Sequence, residues 1–250
     1  MSIKALIRRA KETPPKEAIV EGTAEGPEEA LVLGPRPPPQ AAAALRSVRL
    51  AEDWLPEEAE AILLRNLRRR RADFQMLRTK RTARYGGDPG PPFLPEVLPP
   101  WLQELCLAVG DAAALEPTPN HVLVNHYQPG QGILPHTDGP AYSPWAAIVS
   151  LGSAVVFDFW RDHAHVAGGE APVASLLVPP RSLLVFSDEA YKQHLHGISD
   201  RLADDLQGLD NWSPDATPRG SWAVRQLRGD GSLQREERYS LTIRHVPATA

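Results

Sequence analysis

At 250 residues, with 42% hydrophobic and 23% charged side chains, the chain has the make-up of a globular protein with one large domain, or one domain with extensions. No run of roughly 18 apolar residues occurs, so a membrane-spanning helix is excluded, and the single cysteine, Cys106, rules out an intrachain disulfide or a thiolate metal cluster. The net charge of −4 gives no global reason to bind nucleic acid, so any such reason must be local.

In chain order, residues 1–47 combine Pro, Ala, Gly and Glu with "GPRPPPQAAAA" and read as a disordered extension ending in a stiff Pro-rich linker. Order is expected from residue 48. Pro56 suits the first turn of a helix, Glu57, Glu58 and Glu60 suit its positive end, and Ala59, Ile62, Leu63 and Leu67 share one face. From Arg65 to Arg84, nine of the twenty residues are Lys or Arg against one acid, Asp73. That run reads either as a solvated helix end and polar loop, or as a phosphate-facing patch with Phe74 and Tyr85 as stacking rings. A second helix follows Pro100, with Trp101, Leu102, Leu105 and Val109 on one side. After Pro119 the pattern turns to β-formers: strands are expected at 121–127, 146–152, 154–160, 174–179, 182–187 and 238–246. Residues 199–235 lack periodicity and read as a long insertion before the last strand. Two helices followed by many short strands predict a β-sandwich or jelly roll supported by helices, an α+β arrangement. One cysteine and no long apolar N-terminal core lead us to expect a cytoplasmic or nuclear protein.

The chemistry concentrates in the strand region. In "LPHTDGP", His136 and Asp138 sit two residues apart, so on extended backbone both point the same way. A pair is not a site. His196 in "QHLHGIS" supplies a third donor, with Gly197 leaving room for close approach and His194 as a rival. Two histidines and a carboxylate form the facial triad of non-haem Fe(II), which leaves positions open for cosubstrate and O2. On the last strand, Arg238, Ser240, Thr242 and Arg244 alternate with Tyr239, Leu241 and Ile243. Turned inward, the two arginines need carboxylates, and a dicarboxylate such as 2-oxoglutarate satisfies both; turned outward, they are solvated edge residues. Asn125 and Tyr127 share a face of the 121–127 strand, as cosubstrate contacts or as a satisfied buried pair. His163 and His165 read as solvated loop residues, and His126 is expected to face away from Asn125 and Tyr127.

Together, "NHYQPGQGILPHTDGP", "SLGSAVVFDF", "SLLVFSDEAYKQHLHGIS" and "RYSLTIR" resemble the AlkB family of Fe(II)/2-oxoglutarate dioxygenases over residues 120–246. The wording "NHVLVNHYQPG" with "HTDGPAY" is most similar to the AlkB homologue 6 subfamily. The resemblance implies a double-stranded β-helix core at 119–250, preceded at 48–118 by helices and a nucleotide-recognition lid. It implies Fe(II) on His136, Asp138 and His196, and 2-oxoglutarate on Asn125, Tyr127, Arg238, Ser240 and Arg244, with O2 as the third reactant. The implied activity is oxidative dealkylation of alkylated nucleobases in DNA or RNA, with the basic run 65–84 (Arg78, Lys80 and Arg81 foremost) on phosphates. A monomer is expected.

Pro140 stands where bacterial AlkB has a second acid after its H-x-D, so base selection does not carry over. Tyr85 is a candidate stacking ring for a base, and Tyr142 and Trp145 are either stacking rings or core aromatics. Two rival functions stay open: a dioxygenase acting on a protein or small molecule, and a nucleic-acid-binding module built on an inactive jelly roll.

Overall fold

The computed structural model describes residues 26–43, 45–77, 80–213, 226–227 and 231–248. In chain order they form β1 (Gln40–Ala41), β2 (Val48–Ala51), helix α1 (Glu57–Arg69), a 3-10 turn (Arg71–Asp73), β3 (Gln75–Met76), β4 (Arg81–Tyr85), β5 (Gly87–Asp88) and β6 (Leu94–Pro95). Helix α2 (Pro100–Ala113), β7 (His121–Tyr127), β8 (Ile133–His136), β9 (Trp145–Leu151) and β10 (Val155–Trp160) follow. The chain continues with α3 (His163–Ala167), β11 (Ala174–Val178), β12 (Leu183–Ser187), α4 (Asp188–Lys192) and β13 (Leu195–Ile198). It closes with β14 (Ala203–Asp205), β15 (Ser232–Gln234) and β16 (Arg238–Arg244).

Eight strands make one antiparallel sheet in the order β1-β2-β12-β9-β16-β7-β4-β3, and four make a second, β11-β10-β13-β8. The two sheets enclose an apolar cluster that includes Ile148, Phe157, Phe159, Leu176, Leu184 and Phe186. This is a jelly roll. On the outer face of the large sheet, Val122, Val124, Val149, Leu241 and Ile243 pack against α1 and α2 through Leu63, Leu67, Trp101, Leu105 and Val109. Each such leucine or valine contributes about 1.5–3 kcal/mol by leaving water. The large sheet is thus covered on both faces, which is why β9 and β16 are buried along their whole length.

Helix α1 forms where its acids meet the positive helix end, at Glu57, Glu58 and Glu60, and its arginines the negative one, at Arg68 and Arg69. Asn66 is polar yet fully buried on the helix's inner side. Its amide exchanges two 2.8 Å hydrogen bonds with the backbone of Glu29.

That contact corrects the expected disordered extension. Residues 26–43 dock on the domain instead, with Leu31 in the core, the Leu33 N–H donating to Glu104 (3.1 Å) and β1 pairing with β2. Residues 1–25 lie outside the described residues. The 199–235 insertion contains the β14–β15 pair, closed by a buried bidentate Asp204–Arg235 ion pair with both contacts at 2.6 Å. Residues 214–225 and 228–230 lie outside the described residues. His165, expected in solvent, is buried in α3 beside Glu170. No helix among the described residues is long and apolar enough to cross a membrane.

Candidate metal centre

Strands β8 and β13 pair so that His136 stands directly opposite His196, with ring centroids 4.4 Å apart. Asp138 follows two residues after the end of β8, and one donor atom from each of the three lies within 4.8 Å of the others. The His136 Nδ1–H donates to the Leu134 carbonyl (2.9 Å), which fixes the tautomer and leaves Nε2 with its lone pair free. His196 packs among Phe157, Phe159 and Phe186, and its burial holds the ring neutral, far below the usual imidazole range. Burial also lowers His136. Two neutral imidazoles are what a cation needs.

The carboxylate is equally prepared. Asp138 Oδ1 meets Arg244 Nη2 at 2.8 Å, while Oδ2 is buried without a partner. A buried carboxylate oxygen left unpaired beside two neutral imidazoles fits a divalent cation. The rival His194 is not in this group; its Nδ1–H donates to the Glu189 carbonyl.

The inner face of the large sheet supplies the wall. In β16–β7 register Arg238 lies opposite Tyr127, Ser240 opposite Asn125, and Arg244 opposite His121. All six are buried. Arg238 donates from Nη2 to Ser150 Oγ (2.8 Å) and lies over the Tyr127 ring, but its Nε and Nη1 have no partner among the described residues. Burial pulls this guanidinium down to about 10. Asn125 Oδ1 and Arg244 Nε are also buried and unpartnered. The polar face of β16 therefore turns inward. Among the described residues no carboxylate reaches Arg238, and the carboxylate of a ligand would meet its unpaired guanidinium nitrogens.

Known proteins agree with this geometry. The profile of the 2OG-Fe(II) oxygenase superfamily matches residues 37–244. The chain belongs to that superfamily. A Danio rerio protein named "Probable RNA/DNA demethylase ALKBH6" is 37% identical over 206 residues, covering 78% of this chain and 83% of that one, and places the chain in the AlkB family. A Xenopus tropicalis "tRNA (carboxymethyluridine(34)-5-O)-methyltransferase alkbh8" is 35% identical over 115 residues, 46% of this chain but 17% of that longer protein. The solved structure of OsALKBH1 shares the fold, with a TM-score of 0.51 at 16% identity over 80% of this chain and 98% of that one. As a 2OG-Fe(II) oxygenase, the enzyme uses Fe(II), 2-oxoglutarate and O2.

The substrate side of this oxygenase departs from the sequence expectation. Tyr85 is core: it is 6% exposed, its hydroxyl donates to Asp73 (3.1 Å) and its ring meets Trp101 edge-on. Trp145 is core too, its indole N–H donating to the Glu116 carbonyl (3.2 Å). Tyr142 is half-buried and carries the Arg244 guanidinium on its ring at 4.5 Å, so it braces the Asp138–Arg244 pair. Lys80 is turned into the pocket, 3.4 Å from the Tyr127 hydroxyl. Arg81 lies partly exposed on the opposite face of its strand, and Arg78 lies outside the described residues.

The basic run is also less basic than it reads. Glu29 takes Arg65 (2.6 Å) and Arg69 (2.8 Å), Glu28 and Asp73 take Arg70, and Glu237 takes Arg68 (3.5 Å). Arg84 meets Asp88 at 3.3 Å. Among the described residues of the run, Arg71, Lys80 and Arg81 are left without a carboxylate partner, and Lys80 is buried. Sequence reasoning missed Ser150 on the inner face; strand parity in "AAIVSLG", where Ser150 is the one polar residue, was the available signal.

Proposed function

We propose that this oxygenase oxidatively dealkylates alkylated nucleobases in DNA or RNA, with His136, Asp138 and His196 holding Fe(II). Asn125, Tyr127, Arg238, Ser240 and Arg244 hold 2-oxoglutarate in this reading. The observation that carries it is the pair of unfilled demands at one site: Asp138 Oδ2 toward a cation, and Arg238 Nε and Nη1 toward an anion. The nucleobase assignment rests on the relative named as a probable RNA/DNA demethylase.

Fe(II) with 2-oxoglutarate and O2 supplies the oxidation of a substrate C–H bond, the cosubstrate leaving as succinate and CO2. The protein's own groups prepare that event. The Leu134 carbonyl keeps the His136 proton on Nδ1. Arg244 occupies one oxygen of Asp138, which leaves the other for the metal. Phe157, Phe159 and Phe186 exclude water from the His196 side. A methyl hydroxylated on a base nitrogen then leaves as formaldehyde, and the base must be turned out of its stack to reach the site.

We place Arg71, Arg78 and Arg81 as the phosphate contacts of the lid, and the enzyme as a monomer of the cytoplasm or nucleus. The test is mass spectrometry of alkylated DNA and RNA oligonucleotides incubated with enzyme, Fe(II) and 2-oxoglutarate. Base restoration with stoichiometric succinate, both lost in His136→Ala, is the expected result. Succinate formation with every alkylated oligonucleotide left intact would reject the nucleobase reading.

A further inference from the structure

Lys80 is the one lysine of the lid segment, and the fold buries it. Its side chain is 8% exposed, its Nζ lies 3.4 Å from the Tyr127 hydroxyl and 5.4 Å from the centre of that ring. Lysine is almost never buried without a partner, because the ammonium loses its hydration. Here no carboxylate lies within ion-pair distance of it among the described residues. Burial, helped by Arg244 and Arg238 and opposed by Asp138, brings the amine down to about 8.

The charges around the pocket do not balance. Lys80, Arg238 and Arg244 contribute three positive charges and Asp138 one negative, leaving 3 − 1 = +2. A fold selected for stability alone would not gather them, since like charges in a low dielectric repel. Even before a metal is counted, the surplus is positive and calls for an anion. Tyr127 sits between the two cations nearest its ring, with Lys80 at 5.4 Å and Arg238 at 5.6 Å from the centroid. With the ammonium donating to the phenol oxygen, the Tyr127 hydroxyl hydrogen is left free to donate elsewhere.

We propose that Lys80 is a positioning residue of the cosubstrate pocket, in which it orients the Tyr127 hydroxyl toward the anion held by Arg238 and adds a third protein cation facing that anion. This rests on the reading of the pocket as the 2-oxoglutarate site. It also ties the lid to the pocket. Lys80 immediately precedes β4, and its carbonyl accepts from the Leu77 N–H (2.8 Å), closing the turn between β3 and β4. The lid hairpin is therefore anchored through the same residue that faces the anion.

The test is calorimetric titration of 2-oxoglutarate into Mn(II)-loaded protein without turnover, for wild type, Lys80→Met, Lys80→Arg and Arg238→Met. Lys80→Met should weaken binding about 10- to 100-fold, the worth of a charge-assisted contact, and Lys80→Arg should recover most of it. Wild-type affinity should fall as pH rises from about 7 to about 9, where the amine loses its proton, and the Lys80→Met profile should be flat there. Binding by Lys80→Met within twofold of wild type, or a flat wild-type profile, overturns the proposal. If Arg238→Met loses binding while Lys80→Met keeps it, the pocket reading stands and the Lys80 role falls. A wild-type protein that binds no 2-oxoglutarate overturns both.

Discussion

Gly197→Ala should loosen the metal centre without touching a ligand. A Cβ at this position would lie 2.9 Å from the Ile133 carbonyl oxygen, 3.0 Å from Pro135 N and 3.1 Å from Pro135 Cα, where ordinary contact begins at 3.4 Å. All three atoms are backbone of β8, and Pro135 cannot swing aside because its ring fixes φ. Relief requires β8 to retreat by 3.4 − 2.9 = 0.5 Å. His136 is the next residue on that strand, opposite His196. Metal–ligand distances tolerate only about ±0.2 Å, so the displaced pair should bind a divalent ion about 10- to 100-fold more weakly. Overpacking costs about 1–3 kcal/mol, offset by about 0.4–1 kcal/mol from the stiffer unfolded chain. The net cost of about 0–2.6 kcal/mol should therefore lower the metal-free Tm by no more than roughly 10 °C for a chain of this size. Co(II) titration and thermal unfolding measure the two effects, with Gly34→Ala, whose Cβ meets nothing within 4 Å, as the neutral reference. If His136→Ala abolishes Co(II) binding while Gly197→Ala leaves it within twofold of wild type, the steric reasoning is refuted.

Asp204→Asn leaves the Arg235 guanidinium buried and unpaired, and should cost about 3–5 kcal/mol in denaturant unfolding, a loss that Asp204→Leu with Arg235→Met largely removes. Replacing Glu28 and Glu29 together by Gln frees Arg65 and Arg69 and leaves Arg70 held by Asp73 alone, so non-specific duplex binding should gain about 2 units of slope in log K against log salt, and an unchanged slope would contradict the masking. Glu29 is held down to about 2, from the ordinary 4.5, by hydrogen bonds from Arg65 and Arg69. Its folded pKa is depressed, so its support for the docked 26–43 segment is complete above about pH 4.5 and drains away as pH falls through about 2, a loss that limited acid proteolysis reads and Glu29→Gln removes. Arg238→Met deletes two buried unpartnered N–H groups and should raise the Tm of the ligand-free protein, while abolishing the stabilisation of about 2.7 kcal/mol that 2-oxoglutarate at about 100 times its Kd gives the wild type in thermal-shift assays.

What could be read in advance depended on whether a residue's partner was near in sequence or periodic in pattern. Strand β7 is found at 121–127 as expected, because alternation over seven residues is self-announcing. Strand β8 was missed: Pro135 and the preceding "QPGQG" read as turn, yet proline is tolerated there because β8 is an edge strand. The neutralisation of the basic run was legible only in part: Asp73 and Asp88 lie within four residues of Arg70 and Arg84, but the other acids lie 36 to 42 residues upstream, at Glu28 and Glu29, and 169 downstream, at Glu237. No local rule connects them. The 26–43 segment was misread for a related reason: Leu31 and the Glu29–Asn66 exchange are single anchors, and single anchors have no period.

The site residues were more legible than the surroundings, and the cause is energetic. A buried arginine, an unpaired carboxylate oxygen and a lysine facing two other cations each oppose folding, by about 1–3 kcal/mol for every donor or acceptor left unmet. Neighbours chosen only for packing would be apolar at those positions, as they are on the other face of β16 at Tyr239, Leu241 and Ile243. Polar residues placed inward at period two on a strand buried along both faces therefore point outside the chain for their partners. The same criterion separates Arg238 from Arg235. Arg235 is just as buried, but Asp204 satisfies it from within the fold, and it belongs to the architecture. Among the described residues Arg238 is met by Ser150 and the Tyr127 ring and by no carboxylate, and that is the demand the proposed cosubstrate would meet.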